Sequence, residues 1–531
     1  MSALSGAPVR RSLVGSVRAA YAAGVILFGW AVLQFYAPVT GFTSLIMIGD
    51  AIEAKEVTQL RHVPHFVYDG SAGYDGAYYV QLALNPTLQN PELATAIDNL
   101  PYRARRILSC WVAWLGGLGR PGWIVQAHAL LNVASWLGLA ALLLRWFPAT
   151  SWVNFFRWCG VMFSHGLIMS VRDSLVDGPA LLLVALALAA WEDGRPRRAA
   201  GLLALAGLTR ETSLLAAAGF APGDPRDRAG WRRCAHLALV AALPLLVWVI
   251  YLRWKFGAPS ETGLNNFTLP LAGFVEKWRA TFTNFRVAAD AAWSWATLAA
   301  MIGLTVQAVF FATRRRPQEL AWRVGATFVV LMLFLATPVW EGFPGAAGRA
   351  LLPMTLAFNL LVPRGGRWWA VLLAGNLTVV AAYKEFTPPR EFFSVTAPAE
   401  LQNTVTFKRT GGWYGAESGE GLSWRWSSGE SGLRVRNDSG APVVLVAAGR
   451  AAPAVDERRL RISAAQAMVW SGELTAGHVV SFQFGVTLPP GETELAFATD
   501  KPAHPIGVDP RKMAFEIFNL KFVVKPAPAP R

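Results

Sequence analysis

The chain has 531 residues, of which 53% are hydrophobic and only 16% charged, with a mean hydropathy of +0.34. A soluble protein carries about a quarter charged residues, so a purely soluble globular chain is excluded. The formal net charge of +15 would suit a nucleic-acid binder. Its Arg and Lys residues instead gather in short clusters between apolar runs, as the positive-inside rule predicts, and no nucleic-acid partner is expected.

Arg10, Arg11 and Arg18 precede an apolar run at 19–37. That run is longer than the core of a usual signal peptide, and it flows into Gln34-Phe35-Tyr36-Ala37-Pro38 without a small-x-small cleavage site. It reads as an uncleaved first span with a cytoplasmic N-terminus. A polar insertion at 38–120 follows. Helical patterns at 50–60, 74–84 and 92–116, the last broken at Pro101, predict helices lying along the membrane surface. Tyr78, Tyr79, Tyr102 and Trp111 would sit at the interface.

Further spans are predicted at 122–146, 151–171, 176–192, 199–220, 235–254, 288–312, 320–339, 350–363 and 367–383. The 199–220 segment carries Thr209-Arg210-Glu211-Thr212 at its midpoint. A straight span would hold Arg210 deep in lipid at a cost of several kcal/mol, so a hairpin is expected. Clusters at Arg195 to Arg198, Arg226 to Arg233, Arg314 to Arg316, and Arg364 with Arg367 then share one side. The insertion, the 255–287 loop and the C-terminus share the other.

From residue 386 the apolar runs shorten and alternation appears, as in Val480-Ser481-Phe482-Gln483-Phe484. Turn signals at Asn437-Asp438-Ser439-Gly440 and Pro489-Pro490-Gly491 separate strand patterns. The predicted architecture is a mainly α polytopic membrane protein of about eleven segments over 1–385, with a C-terminal all-β sandwich of jelly-roll type over 386–531. Cys110, Cys159 and Cys234 have neither disulfide nor metal-ligand spacing and read as buried, inert thiols.

The chemistry-bearing residues collect on the outer side. Asp75 lies in Gly73-Tyr74-Asp75-Gly76, where the glycines let the backbone bring a carboxylate close to a ligand. Asp50 competes for the same role, against a helix N-cap reading. Either could serve as a general base. Arg103, Arg106, Arg172, Arg210, Lys255 and Arg349 are candidate anion binders, set against a reading as interfacial snorkelling cations. Tyr74 and Tyr79 complete the candidate substrate-binding set. Asp173 and Asp177 beside Arg172 read as a loop ion pair and a helix cap, and His165 as a packed histidine.

Four stretches together resemble the GT-C superfamily of integral-membrane glycosyltransferases. They are the acidic first loop with Asp50 and Gly73-Tyr74-Asp75-Gly76, the Ala199 to Leu215 hairpin with its basic tip, the loop from Glu261 to Arg286, and Gly348-Arg349-Ala350-Leu351-Leu352-Pro353 leading into a late span. The likeness covers 15–365 and each motif alone is of low specificity. It implies an inverting transfer of a sugar from a polyprenyl-phosphate donor to a glycan or lipid acceptor in cell-envelope glycan biosynthesis. The reaction would occur at the extracytoplasmic face of an inner membrane, among membrane lipid. The base would be an aspartate of the first loop, metal-free or assisted by a divalent metal, with no cofactor fixed. The C-terminal part resembles carbohydrate-binding sandwiches, with Gly412-Trp413-Tyr414 and Trp424-Arg425-Trp426 as sugar-stacking or core aromatics. The competing functional readings are a transporter or flippase of a lipid-linked glycan, which should place ionisable groups near span centres, and a non-catalytic membrane scaffold.

Overall fold

The structure is a computed structural model that describes residues 7–37, 40–68, 71–257, 263–287, 292–342, 344–382, 386–389, 393–398, 400–401, 404–419, 422–506 and 509–528. It forms two compact units: Met1–Tyr36, Phe42–Pro64 and Gly73–Thr387 in one, and Ala37–Gly41, His65–Ala72 and Pro388–Arg531 in the other.

The first unit is helical. Its principal helices are α1 Ala7–Leu33, α2 Asp75–Leu84, α3 Ile107–Gly116, α4 Pro121–Leu143, α5 Trp152–Met162, α6 His165–Arg172, α7 Asp177–Glu192, α8 Pro196–Thr209, α9 Arg228–Phe256, α10 Ala272–Val287, α11 Ala292–Thr313, α12 Leu320–Phe334, α13 Leu352–Leu361 and α14 Trp368–Gly375. Among the described residues, four helical stretches are long and apolar enough to cross a membrane: Gly15–Leu33, Pro121–Leu143, Arg228–Phe256 and Ala292–Thr313. Leu239, Leu243, Leu246, Val247 and Ile250 of α9 are exposed. A contiguous apolar face of that kind suits lipid and not water.

The run at 151–171 is not one continuous helix. It breaks at Phe163, and Ser164 in extended conformation starts α6. The 199–220 segment folds back on itself. Arg210 is extended (φ −152°, ψ 121°) and the chain continues as a 3₁₀ helix, Glu211–Phe220. A Cβ on Gly207 would press on Leu214, and Phe220 returns to stack on Trp191 with ring centroids 4.7 Å apart. The residues before and after Arg210 therefore run side by side.

This reversal separates two ends of the helical unit. At one end lie Asp75, Asp177, Arg210 and Glu211. At the other, Arg145 pairs with Glu192 and Asp193, Arg323 donates to the Gly219 carbonyl, and Arg314 lies over the Trp368 ring. The basic clusters do share one end.

The insertion departs from its sequence reading. The segment 50–60 splits into two turns, Asp50–Glu53 and Thr58–Arg61, while 92–116 is broken just before Pro101, between Leu93–Ala96 and the turn Leu100–Arg103. α2 does not lie on a surface. Tyr79, Val80, Gln81, Leu82 and Ala83 are fully buried. Its one strongly polar interior residue, Gln81, accepts from the Val57 amide at 3.0 Å. A helix apolar on every face belongs inside a protein.

The second unit is a β-sandwich built on β1 Leu422–Ser427, β2 Glu430–Asn437, β3 Val443–Pro453, β4 Arg458–Ala464, β5 Ala467–Leu474, β6 Val480–Leu488, β7 Gly491–Thr499 and β8 Phe515–Pro526. One sheet runs β1-β8-β3-β6 and the other β2-β7-β4-β5, which is jelly-roll connectivity. Leu433, Ile462 and Phe497 of one sheet pack against Leu445, Phe484, Ile517 and Phe522 of the other. The Asn437 turn is held by its own side chain, which donates to the Ala441 carbonyl at 2.8 Å and accepts from the Ser439 amide at 3.1 Å. Trp413, a candidate sugar-stacking ring, belongs to the core. It is 8% exposed, donates to the Gly432 carbonyl and meets Phe497 edge-on. Trp424 and Trp426 are half-buried on the outer side of β1.

Candidate functional site

The site is assembled by close backbone approaches. Gly73 has φ +74°, and a Cβ there would strike Ile52 and the Gly49 amide. At Gly76 it would strike the Asp173 carbonyl. Both positions therefore need glycine for space, and at Gly73 for backbone conformation as well. The Tyr74 amide donates to the Met47 carbonyl at 3.0 Å, and His128 contacts the Gly76 carbonyl at 3.2 Å. Asp75, in the first turn of α2, is thus fixed in place, with its side chain 24% exposed. A similar approach fixes Arg349: a Cβ on Gly166 would strike the Gly348 carbonyl.

Around Asp75 lies an alternating network of arginines and carboxylates. Arg103 bonds Asp75 at 2.8 Å and grips Asp98 through Nε at 3.0 Å and Nη2 at 2.8 Å. Its guanidinium lies 5.0 Å from the centre of the Tyr78 ring. Arg106 donates to Glu211 at 3.0 Å, to the Tyr79 hydroxyl at 2.8 Å and to the Tyr102 hydroxyl at 3.1 Å. Asp177, with its side chain 1% exposed, pairs with both Arg349 and Arg210. Arg349 also donates to the Tyr74 hydroxyl at 2.8 Å. Four arginines thus meet four carboxylates drawn from four separate stretches of the chain.

Burial pushes the Asp75 carboxyl up, but the guanidiniums of Arg103, Arg349 and Arg106 outweigh it and hold the group below the ordinary value of 3.8. Asp75 is ionised at neutral pH. It can accept a hydrogen bond from a hydroxyl and orient it. The arginines offer the planar fork that phosphate recognition uses. They are charge-balanced, so an incoming anion must displace a carboxylate.

Of the residues singled out from sequence, Asp75, Tyr74, Tyr79, Arg103, Arg106, Arg210 and Arg349 come together. Arg172 and Lys255 do not join them. Arg172 is buried under the first loop, donating to the Ser44 carbonyl at 3.2 Å beside Asp173. Lys255 donates to the Thr87 carbonyl at 3.0 Å and so ties the end of α9 to the insertion. The side chain of Asp50 lies outside the described residues, as does Glu261. His165 is buried at the start of α6, as a packed histidine should be.

Sequence reasoning missed Asp98, Tyr102, Asp177 and the role of Glu211. Asp177 was legible as an acid opening an apolar helix, but a cap reads the same way. Only the fold brings it under two arginines.

Among the described residues, no three His, Cys, Asp or Glu side chains are grouped to hold a metal ion. The neighbours of Asp75 are guanidiniums, a donor set that repels a divalent cation. The residues present do not fit an assisting metal, and no step below uses one.

No family model matches this chain, and no curated protein matches it. Among solved structures the chain is similar to ArnT from Cupriavidus metallidurans in the apo state, at 14% sequence identity and a TM-score of 0.34. The match covers 57% of this chain and 57% of that one, so it spans little more than half the length of either.

Proposed function

We propose that the chain is a membrane glycosyltransferase of GT-C type, moving a sugar from a polyprenyl-phosphate donor to a glycan or lipid acceptor. Asp75 is the base, and Arg103, Arg106, Arg210 and Arg349 form the phosphate-binding set. One observation carries the reading: a half-buried carboxylate sits among guanidiniums from distant segments, all at the hairpin end of a lipid-facing helical unit. That arrangement suits an anionic lipid headgroup on one side and a hydroxyl nucleophile on the other.

In this mechanism the donor phosphate draws Arg103 away from Asp75. The carboxylate loses its strongest partner and its proton affinity rises. It then accepts the acceptor hydroxyl's proton as the oxygen attacks the anomeric carbon from the face opposite the phosphate. The carbon–oxygen bond to the phosphate breaks and polyprenyl phosphate leaves, its charge stabilised by Arg106 and Arg349. An attack from the opposite face inverts the anomeric centre.

The proposed topology has about eleven membrane segments, with the insertion and the β-sandwich outside and the N-terminus in the cytoplasm of an inner membrane. Asp50 remains the competing base. The test is sugar transfer by purified protein from a polyprenyl-phosphate donor, comparing wild type with Asp75→Asn and Asp50→Asn. Loss in Asp75→Asn alone supports the assignment. Loss in Asp50→Asn alone moves the base to Asp50, and translocation without transfer indicates a flippase.

A further inference from the structure

The opposite end of the helical unit holds a buried arginine with no acid beside it among the described residues. Arg157 on α5 is 4% exposed. Its Nη2 donates to the carbonyl of Val362, at the C-terminal end of α13, while its Nε is buried with no acceptor among the described residues. The charged group that acts on it is a second guanidinium, that of Arg364, two residues beyond Val362. One turn earlier on α5, Asn154 has a buried Oδ1 with no donor among the described residues.

No acidic residue occurs in 152–158 or 362–370. The cations continue around two interfacial tryptophans. Arg367 and Arg314 lie over the Trp368 ring at 5.7 Å and 4.8 Å, and Trp369 meets Phe156 of α5 at 5.4 Å. Arg364 and Arg367 are exposed. Two other arginines at this end have acids: Arg145 has Glu192 and Asp193, and Arg316 has Glu319.

The partial negative charge at a helix C-terminus is about half a unit, too little to balance two guanidiniums. A buried cation without a counter-ion is costly. The missing partner must be an anion that reaches an interface lined by tryptophan and arginine.

We infer that Arg157, Arg364 and Arg367 form a binding site for the phosphodiester of an anionic phospholipid headgroup, at the end of the helical unit opposite Asp75. The phosphate oxygens accept from Arg364 and Arg157, and a headgroup hydroxyl can donate to Asn154 Oδ1. Trp368 and Trp369 hold the glycerol level of the lipid. The inference rests on the chain spanning a membrane, and is independent of the transferase reading.

The experiment uses full-length protein in nanodiscs of phosphatidylcholine with and without phosphatidylglycerol, and counts retained lipids by native mass spectrometry. Wild type should retain phosphatidylglycerol over phosphatidylcholine by roughly tenfold or more. Arg157→Gln and the exposed Arg364→Gln should each lose most of that preference, while Arg316→Gln, at the same end but already paired, should keep it. Equal retention of both lipids by wild type overturns the inference, and so does an unchanged preference in Arg364→Gln. Added inorganic phosphate that abolishes the preference would identify a free-phosphate site and overturn it as well.

Discussion

The two ends of the helical unit use arginine in opposite ways. At the Asp75 end Arg103, Arg106, Arg210 and Arg349 each meet a carboxylate, and tyrosine hydroxyls take up further donors. Arg157 has a carbonyl for its partner, the electrostatic influence of a second guanidinium, and no acid among the described residues. Pairing decides what each end can recruit. A balanced network is pre-organised and selective, because an incoming anion has to outcompete a carboxylate in place. An unbalanced cluster is permissive, because any anion that can reach it relieves repulsion. We propose chemistry at the first end and anchoring at the second.

Substitutions can break this contrast, and the largest effect should come from Asp75→Asn. It keeps the shape and removes the proposed base, and should lower the transfer rate by about 10²- to 10⁴-fold. Unchanged circular dichroism and unfolding temperature would show that the fold survives.

Asp177→Asn strips the counter-ion from Arg210 and Arg349 together. Breaking a buried pair in this way should cost roughly 3–5 kcal/mol of stability. Arg316→Gln removes an exposed pair and should cost less than about 1 kcal/mol. Denaturant unfolding of both variants measures the difference between the ends, and similar losses would erase it.

Gly76→Ala forces a methyl group against the Asp173 carbonyl and should cost about 1–3 kcal/mol, with lower activity because Asp75 is displaced. Gly29→Ala, which meets nothing within 4 Å, is the control.

Smaller effects follow from pH. Asp75 sits below its ordinary 3.8 when folded. The stability it contributes is therefore complete above the unfolded value and is lost only as pH falls through the lower folded value. An acid limb of stability well above pH 4 would have to come from another group. Glu516 in the β-sandwich behaves oppositely. Burial, with the Glu417 carboxylate nearby, pushes it up to about 7. Its contribution is full below the unfolded value and disappears as pH rises through 7. The unfolding temperature of that unit should drop slightly from pH 6 to pH 8, and Glu516→Gln should flatten the change.

Much of this was legible in the chain itself, for identifiable reasons. Arg210 inside an apolar run could not sit in lipid, so the reversal there followed from the energy of burying a charge. The jelly-roll strands followed from period-two alternation and from turns such as Asn437 to Gly440. Gly73-Tyr74-Asp75-Gly76 stood out as an acid between glycines, although the reason for Gly76 is the Asp173 carbonyl pressed against it and not backbone freedom. Asp177 and Asp98 stayed hidden because the arginines that need them are tertiary neighbours. Arg172 and Lys255 were misplaced for the same reason: sequence gives the side of the membrane a cation faces, not which carbonyl it meets.

The most direct measurement is single-turnover release of polyprenyl phosphate from a polyprenyl-phosphate-sugar donor by the purified protein, with acceptor present, in wild type and Asp75→Asn. The account predicts acceptor-dependent release by wild type and almost none by Asp75→Asn. Equal release by the two proteins would contradict it.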